Sequence, residues 1–119
     1  MRIYVAAPWV HKAEARAAGM ALEAAGHTIT KKWWDHRDTM DVPELRQQAD
    51  EDFAGVVTAH AFVLLNLCQS TGGKEVETGI ALTKGLRCFL VGKPSNIFHH
   101  MQLWTVVDSL DQVIYAFDF

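Results

Sequence analysis

The run Ala61-Phe62-Val63-Leu64-Leu65-Asn66-Leu67 constrains the fold more than any other part of the chain. It is short enough to be a strand and apolar on both alternating sides, the pattern of a parallel strand covered on both faces. Small residues follow at Ser70-Thr71-Gly72-Gly73, then Lys74-Glu75-Val76-Glu77-Thr78-Gly79-Ile80-Ala81. Val76, Ile80 and Thr83 keep helical spacing as far as Gly85, a residue suited to the end of a helix. The segment reads as strand, tight turn, helix. Such a turn would leave the backbone N–H groups of Thr71, Gly72 and Gly73 free at a helix N-terminus, which suits an anion. An ordinary β–α connection carrying surface glutamates has the same pattern.

The rest of the chain repeats this alternation. Arg2 to Ala6 is β-rich and broken by Ala7-Pro8. From about Val10 to Ala25, residues Ala13, Ala17, Met20, Ala21 and Ala24 form an apolar stripe at helical spacing, ended by Gly26. His27 to Thr30 begins a second strand, and Trp33-Trp34 reads as its end running into a loop. Asp41 and Glu44 have capping-box spacing with Pro43 in the first turn, and Leu45, Ala49, Phe53, Val56 and Val57 carry a helix to about Thr58. Leu86 to Val91 is a fourth strand, Ser95 to Leu103 an irregular segment with a short helix, and Trp104 to Val107 a fifth strand. Ser109 and Gln112 cap a last helix whose Leu110, Val113, Ile114 and Phe117 face the core. Strands alternating with helices predict an α/β sandwich around a parallel five-stranded sheet. Right-handed crossovers favour the flavodoxin-like order 2-1-3-4-5, with ligands at the carboxyl ends of the strands beside the switch between strands one and three.

Composition narrows the function classes. A chain of 119 residues fits one domain, 1–119, with a single core. A net charge of −3 and a pI near 6.0 argue against nucleic acid or an anionic membrane as partner. No apolar run approaches a membrane span, and Met1 leads straight into a strand, so a cytoplasmic location is expected. Cys68 and Cys88 read as free buried thiols of a reducing compartment. His11, His27, His36, His60, His99 and His100 lack zinc-ligand spacing, so no metal and no cofactor is expected. Trp33-Trp34 reads as a core ring followed by a rim ring. One of this pair, with Trp34 as the rim ring, is a candidate to stack on a ligand's ring system; Trp9 is a similar candidate, and the sequence does not rank them.

Ser70-Thr71-Gly72-Gly73 followed by Glu77-Thr78-Gly79-Ile80-Ala81 resembles the signature of the nucleoside 2-deoxyribosyltransferase superfamily, which includes the 2′-deoxynucleoside 5′-phosphate N-hydrolases. The resemblance covers most of the chain from Ile3 to about Phe98, but its specific part is Ser70 to Ala81 plus Tyr4 and Asp52. It implies that Glu77 is the nucleophile that attacks the sugar C1′, and that Gly79 lets its helix pack closely. Tyr4 in Ile3-Tyr4-Val5 matches a first-strand tyrosine that hydrogen-bonds the glutamate. Asp52 matches an aspartate that reaches the sugar; it keeps the family interval to Ala59-His60, where His60 replaces an expected aspartate. Asp50 is the rival, and Asp52 is preferred because it sits beside Phe53 on the apolar side. The segment Asn96 to Met101 resembles a late stretch that crosses to a neighbouring subunit, with Asn96 as a binding residue.

The implied chemistry is that of a retaining glycosidase: a carboxylate traps the sugar, and water releases it or a second base takes it. Family transferases carry an acid six residues before the nucleophile, whereas the phosphate-specific hydrolases carry a serine; here the position is Thr71, preceded by Ser70. A hydroxyl there accommodates a phosphate that a carboxylate would repel. The resemblance therefore implies N-glycosidic cleavage of 2′-deoxynucleoside 5′-monophosphates, with Ser70, Thr71, Gly72 and Gly73 holding the small-molecule nucleotide. A base-exchanging deoxyribosyltransferase and a non-catalytic nucleotide-binding domain are the alternatives. Family members of this length form at least dimers, so a homodimer or larger homo-oligomer is expected.

Overall fold

The computed structural model describes residues 1–68 and 72–118. Five parallel strands, β1 (Arg2–Ala6), β2 (Thr28–Ile29), β3 (Ala61–Asn66), β4 (Arg87–Gly92) and β5 (Trp104–Val107), form one sheet in the order β2-β1-β3-β4-β5. The α/β class, the strand order and the flavodoxin-like layout agree with the sequence expectation. Helices α1 (Lys12–Ala24), α2 (Val42–Val57), α3 (Gly73–Lys84) and α4 (Leu110–Phe117) cover the sheet on both sides. The chain steps one way from β1 to β2 and the other way from β2 over β1 to β3 and onward. Right-handed crossovers therefore put α1 on one face and α2 with α3 on the other. Among the described residues no helix is long and apolar enough to cross a membrane.

All six residues of β3 are buried, as expected for the central strand. One row across the sheet joins Tyr4, Phe62, Cys88 and Trp104; the next joins Val5, Val63, Phe89 and Thr105. Tyr4 stacks parallel to Phe62 at 6.0 Å between ring centroids, and Phe89 meets Phe117 of α4 edge-on at 5.0 Å. Period-two alternation thus sends the first row toward α2 and α3 and the second toward α4. Gly85 ends α3 in the left-handed conformation with φ 70°, where a Cβ would be strained. Ser109 and Gln112 make the full reciprocal capping box of α4. At α2 only half forms: Asp41 accepts from the Glu44 N–H, while the Glu44 carboxylate pairs with Arg37.

The helix faces differ from the sequence expectation. In α1 the buried residues are Ala15, Ala18, Gly19 and Leu22, and Ala13, Ala17, Met20 and Ala24 are exposed. An alanine-rich helix offers more than one small-residue stripe, and the choice was made by Trp34. A Cβ on Gly19 would lie 2.7 Å from the Trp34 ring, so the indole seats on bare backbone. In α3 the buried side chains are Lys74, Thr78 and Ala81, while Val76 is 64% exposed. In α2 the buried pair is Gly55 and Val56, and Leu45, Ala49 and Phe53 are exposed. Cys88 is buried and Cys68 half-buried, and both are free.

Candidate active site

β2 is only two residues long, and this shapes the site. The carbonyls of Met1 and Ile3 accept from the N–H groups of Thr28 and Thr30. The carbonyl of Val5, next in the same alternation, lies beyond the end of β2 and instead accepts the indole N–H of Trp33 at 2.6 Å. A buried carbonyl requires a partner, so the bond pins Trp33 at the carboxyl end of β1. There it walls a cavity of about 340 Å³, together with Ala7, Pro8 and Trp9 after β1 and with His36. Gln48 and Asp52 of α2 and Gly73, Lys74 and Glu77 of α3 complete the wall. The cavity sits where crossovers leave β1 and β3 in opposite directions, the place where doubly wound sheets bind ligands.

Tyr4 is wholly buried under α2, and Gly55 makes room for it: a Cβ there would stand 3.1 Å from the phenol ring and 2.7 Å from Lys31 Cβ. The Tyr4 hydroxyl stays buried behind the cavity wall and donates to Glu77 Oε2 at 2.6 Å. Burial pushes the Glu77 carboxyl up to about 7; the Tyr4 bond pulls it down and the nearby Asp52 charge raises it further. Burial likewise raises the Tyr4 phenol, with the Glu77 and Asp52 charges adding to the effect. Asp52 is also raised by burial, opposed by its bond from His36. His36 Nε2 lies 2.8 Å from Asp52 Oδ1, and both side chains are mostly buried. Two carboxylates thus face one small space, one with a tyrosine and the other with a histidine. Such a pair suits the division of one reaction between a nucleophile and a proton-handling group.

Lys74 is an unusual occupant of a first helical turn. It is 4% exposed, close to the positive end of the α3 dipole, and a cation there is disfavoured both by burial and by the dipole. Its ammonium is held by Asn66 Oδ1 at 3.1 Å and Glu75 Oε1 at 2.5 Å. Behind it, Asn96 Nδ2 donates to Glu75 Oε2 at 3.3 Å and contacts His99 Nε2 at 3.2 Å. The network ties the start of α3 to the loop after β4.

The sequence-derived residues fall into three groups. Glu77, Asp52, Trp9 and Gly73 line the cavity, and Tyr4 touches it through Glu77. Asp50 lines only an outer groove between α2 and α3, with Phe53, Val76 and Ile80, so geometry separates it from Asp52. Gly72 is the N-cap of α3 with φ 105°, adjoining the cavity through Gly73. Trp34 and Asn96 do not line the cavity. Trp34 is buried against α1, not at the rim, because the 3-10 turn Trp33–Asp35 sends consecutive rings to different sides. Asn96 caps the short turn Ile97–His100 and faces Glu75. Ser70 and Thr71 lie outside the described residues. Gly79 is also corrected: among the described residues a Cβ there meets nothing within 4 Å, so it serves no close packing among them. The sequence places Trp33 and Trp34 together at this end of the sheet without deciding between them, and the structure puts Trp33 on the cavity. His36 and Gln48 are the lining residues that no local pattern in the sequence singles out. Among the described residues no cluster of three or more His, Cys, Asp or Glu could hold a metal ion.

No protein-family model and no curated protein sequence matches the chain. Solved structures do match it in fold. A CMP N-glycosidase, BcmB, from Clostridium botulinum is similar with a TM-score of 0.65 at 16% identity, over 100% of both chains. A 2-deoxyribosyltransferase from Bacillus psychrosaccharolyticus is similar with a TM-score of 0.75, also at 16% identity, over 96% of this chain and 90% of that one. The sheet order and the helical layers of this chain are those of the deoxyribosyltransferase-like fold.

Proposed function

We propose that the protein is an enzyme that cleaves the N-glycosidic bond of 2′-deoxynucleoside 5′-monophosphates, releasing the base and deoxyribose 5-phosphate. The observation that carries this reading is the 2.6 Å bond from Tyr4 to Glu77 in a cavity at the strand ends, with Asp52 on the facing helix. Glu77 attacks C1′ from below while the Tyr4 bond fixes one of its oxygens. Its charge stabilises the positive charge that builds on the sugar as the C1′–N bond lengthens. Asp52 holds the sugar hydroxyls, and Trp9 and Trp33 supply the aromatic wall for the base. Ionising Glu77 in a buried site leaves a poorly solvated carboxylate, a stronger nucleophile than one in water.

A phosphate fits the start of α3. The Gly72-Gly73 turn opens a helix whose dipole favours an anion, and Lys74, which lines the cavity, adds a positive charge nearby while its ammonium is held by Asn66 and Glu75. Of the fold's solved neighbours, one is named for action on CMP and the other for transfer of a 2-deoxyribosyl group. The test is incubation with a panel of deoxynucleoside and ribonucleoside monophosphates and free nucleosides, monitored for released base. Base exchange outrunning hydrolysis on free nucleosides would assign a transferase. Binding without cleavage of any substrate would assign a sensor domain.

The reading includes a homodimer. Phe53 is 54% and Val76 64% exposed, and with Ile80 and Gly79 they line a groove that continues from the walls formed by Asp52 and Glu77. A mid-helix glycine facing open space costs α3 about 1 kcal/mol relative to alanine. The close approach of a second copy offsets that cost and closes the outer side of the site. Sedimentation equilibrium on the unmutated protein and on Phe53→Asp tests it; a monomer in both cases would sink the dimer.

A further inference from the structure

A departing nucleobase needs a proton, and neither Glu77 nor Tyr4 is free to give one. Glu77 must be ionised to attack, and the Tyr4 hydroxyl is committed to it. Lys74 is held by Asn66 and Glu75. His36 is differently placed. It comes from the same stretch as Trp33, lines the same cavity, and gives its Nε2 to Asp52 Oδ1 at 2.8 Å. An ionised carboxylate only accepts, so Nε2 carries hydrogen, and Nδ1 has no hydrogen-bond partner among the described residues. A carboxylate on one imidazole nitrogen stabilises the doubly protonated ring and leaves the other N–H for a substrate.

Building on the N-glycosidase reading, we propose that His36 is the proton donor to the leaving base, held in place by Asp52. In the first step the C1′–N bond breaks, a C1′–O bond to Glu77 forms, and the Nδ1 proton of His36 passes to the base. In the second, water attacks C1′ and the ester to Glu77 breaks. One proton of that water returns to Nδ1, and its oxygen stays on the sugar. The net change is one water consumed, its hydrogen on the base and its hydroxyl on C1′. The charged groups around His36 are Asp52 and Glu51 on α2, Lys31 paired with Glu51 at 2.7 Å, and Glu77 with Lys74 across the cavity on α3.

The test uses 2′-deoxyguanosine 5′-monophosphate and its N7-methyl derivative, whose base is already cationic and departs neutral without a donor. His36→Gln keeps a hydrogen-bonding group beside Asp52 but has no proton to give. The expected loss in kcat/KM is about a hundredfold or more on the unmethylated nucleotide and less than about tenfold on the methylated one. An equal loss on both would make His36 only a structural partner of Asp52 and overturn the proposal. The unmutated protein gives a second reading that needs no variant. Methylation of N7 should speed cleavage by the unmutated protein far less than it speeds the uncatalysed reaction, because the donor already supplies that charge to the base. Equal speeding of both reactions overturns the role. Absence of cleavage of any nucleotide in the panel, by contrast, overturns the N-glycosidase reading itself.

Discussion

The Tyr4 hydroxyl, at the end of the first strand, donates to Glu77 Oε2 at 2.6 Å across 73 positions of sequence. This bond joins two sides of the sheet switch point and acts on the ionisation of Glu77, which burial raises and Tyr4 lowers. Tyr4→Phe removes the lowering contribution and leaves the burial. The rising limb of the pH–rate profile, set by ionisation of Glu77 near 7, should move to higher pH, and the rate at neutral pH should drop about tenfold or more. An unmoved limb would mean that Glu77 ionisation does not control the rate.

Glu77→Gln should keep the fold and abolish turnover, since an amide is a poor nucleophile and carries no charge to oppose a cationic sugar. It should also change stability in a pH-dependent way. The Glu77 carboxyl is raised in the folded state from 4.5 to about 7, so its contribution to stability is full below 4.5 and lost as pH rises toward 7. Relative to the unmutated protein, Glu77→Gln should therefore be of similar stability at pH 4 and more stable at pH 8, by about 3 kcal/mol at most. Urea denaturation at the two pH values measures this.

Two glycines, Gly55 of α2 packed on the Tyr4 ring and Gly79 of α3 facing open space, should respond in opposite directions. Gly55→Ala drives a methyl against Lys31 Cβ at 2.7 Å and the Tyr4 ring at 3.1 Å, and should cost about 1–3 kcal/mol and displace the Tyr4 hydroxyl. Gly79→Ala meets nothing among the described residues and should stabilise the isolated fold by about 0.5–1 kcal/mol. Thermal melts at low protein concentration distinguish the two; equal effects would contradict the packing described.

Monophosphates should be cleaved at least about a hundredfold better in kcat/KM than the matching nucleosides, because charge-assisted bonds are worth about 1.5–3 kcal/mol each. Lys74→Met should erase most of that preference by raising KM for the monophosphates, with little change for nucleosides. Thr71→Asp should act in the same direction through repulsion. Steady-state kinetics on one base in both forms decides, and a preference for nucleosides in the unmutated protein would move the assignment to a transferase.

What the sequence determined by itself was local. Period-two runs, helical spacing, the left-handed Gly85 and the Ser109–Gln112 box each depend on neighbours within a few positions, and together they set the elements and the sheet order. The motif from Ser70 to Ala81 with Tyr4 and Asp52 also pointed to one end of the sheet, where the structure brings Glu77, Tyr4 and Asp52 together. Tertiary structure alone decided which face each helix buries, because alanine-rich α1 offers several equivalent stripes until Trp34 selects Gly19. It also exchanged the roles of the adjacent tryptophans. The two-residue β2 left the Val5 carbonyl without a strand partner, and that unmet acceptor drew Trp33 to the cavity. The contact of His36 with Asp52, 16 positions apart, has no periodicity to reveal it; only the packing of α2 over the end of β2 brings them within 2.8 Å.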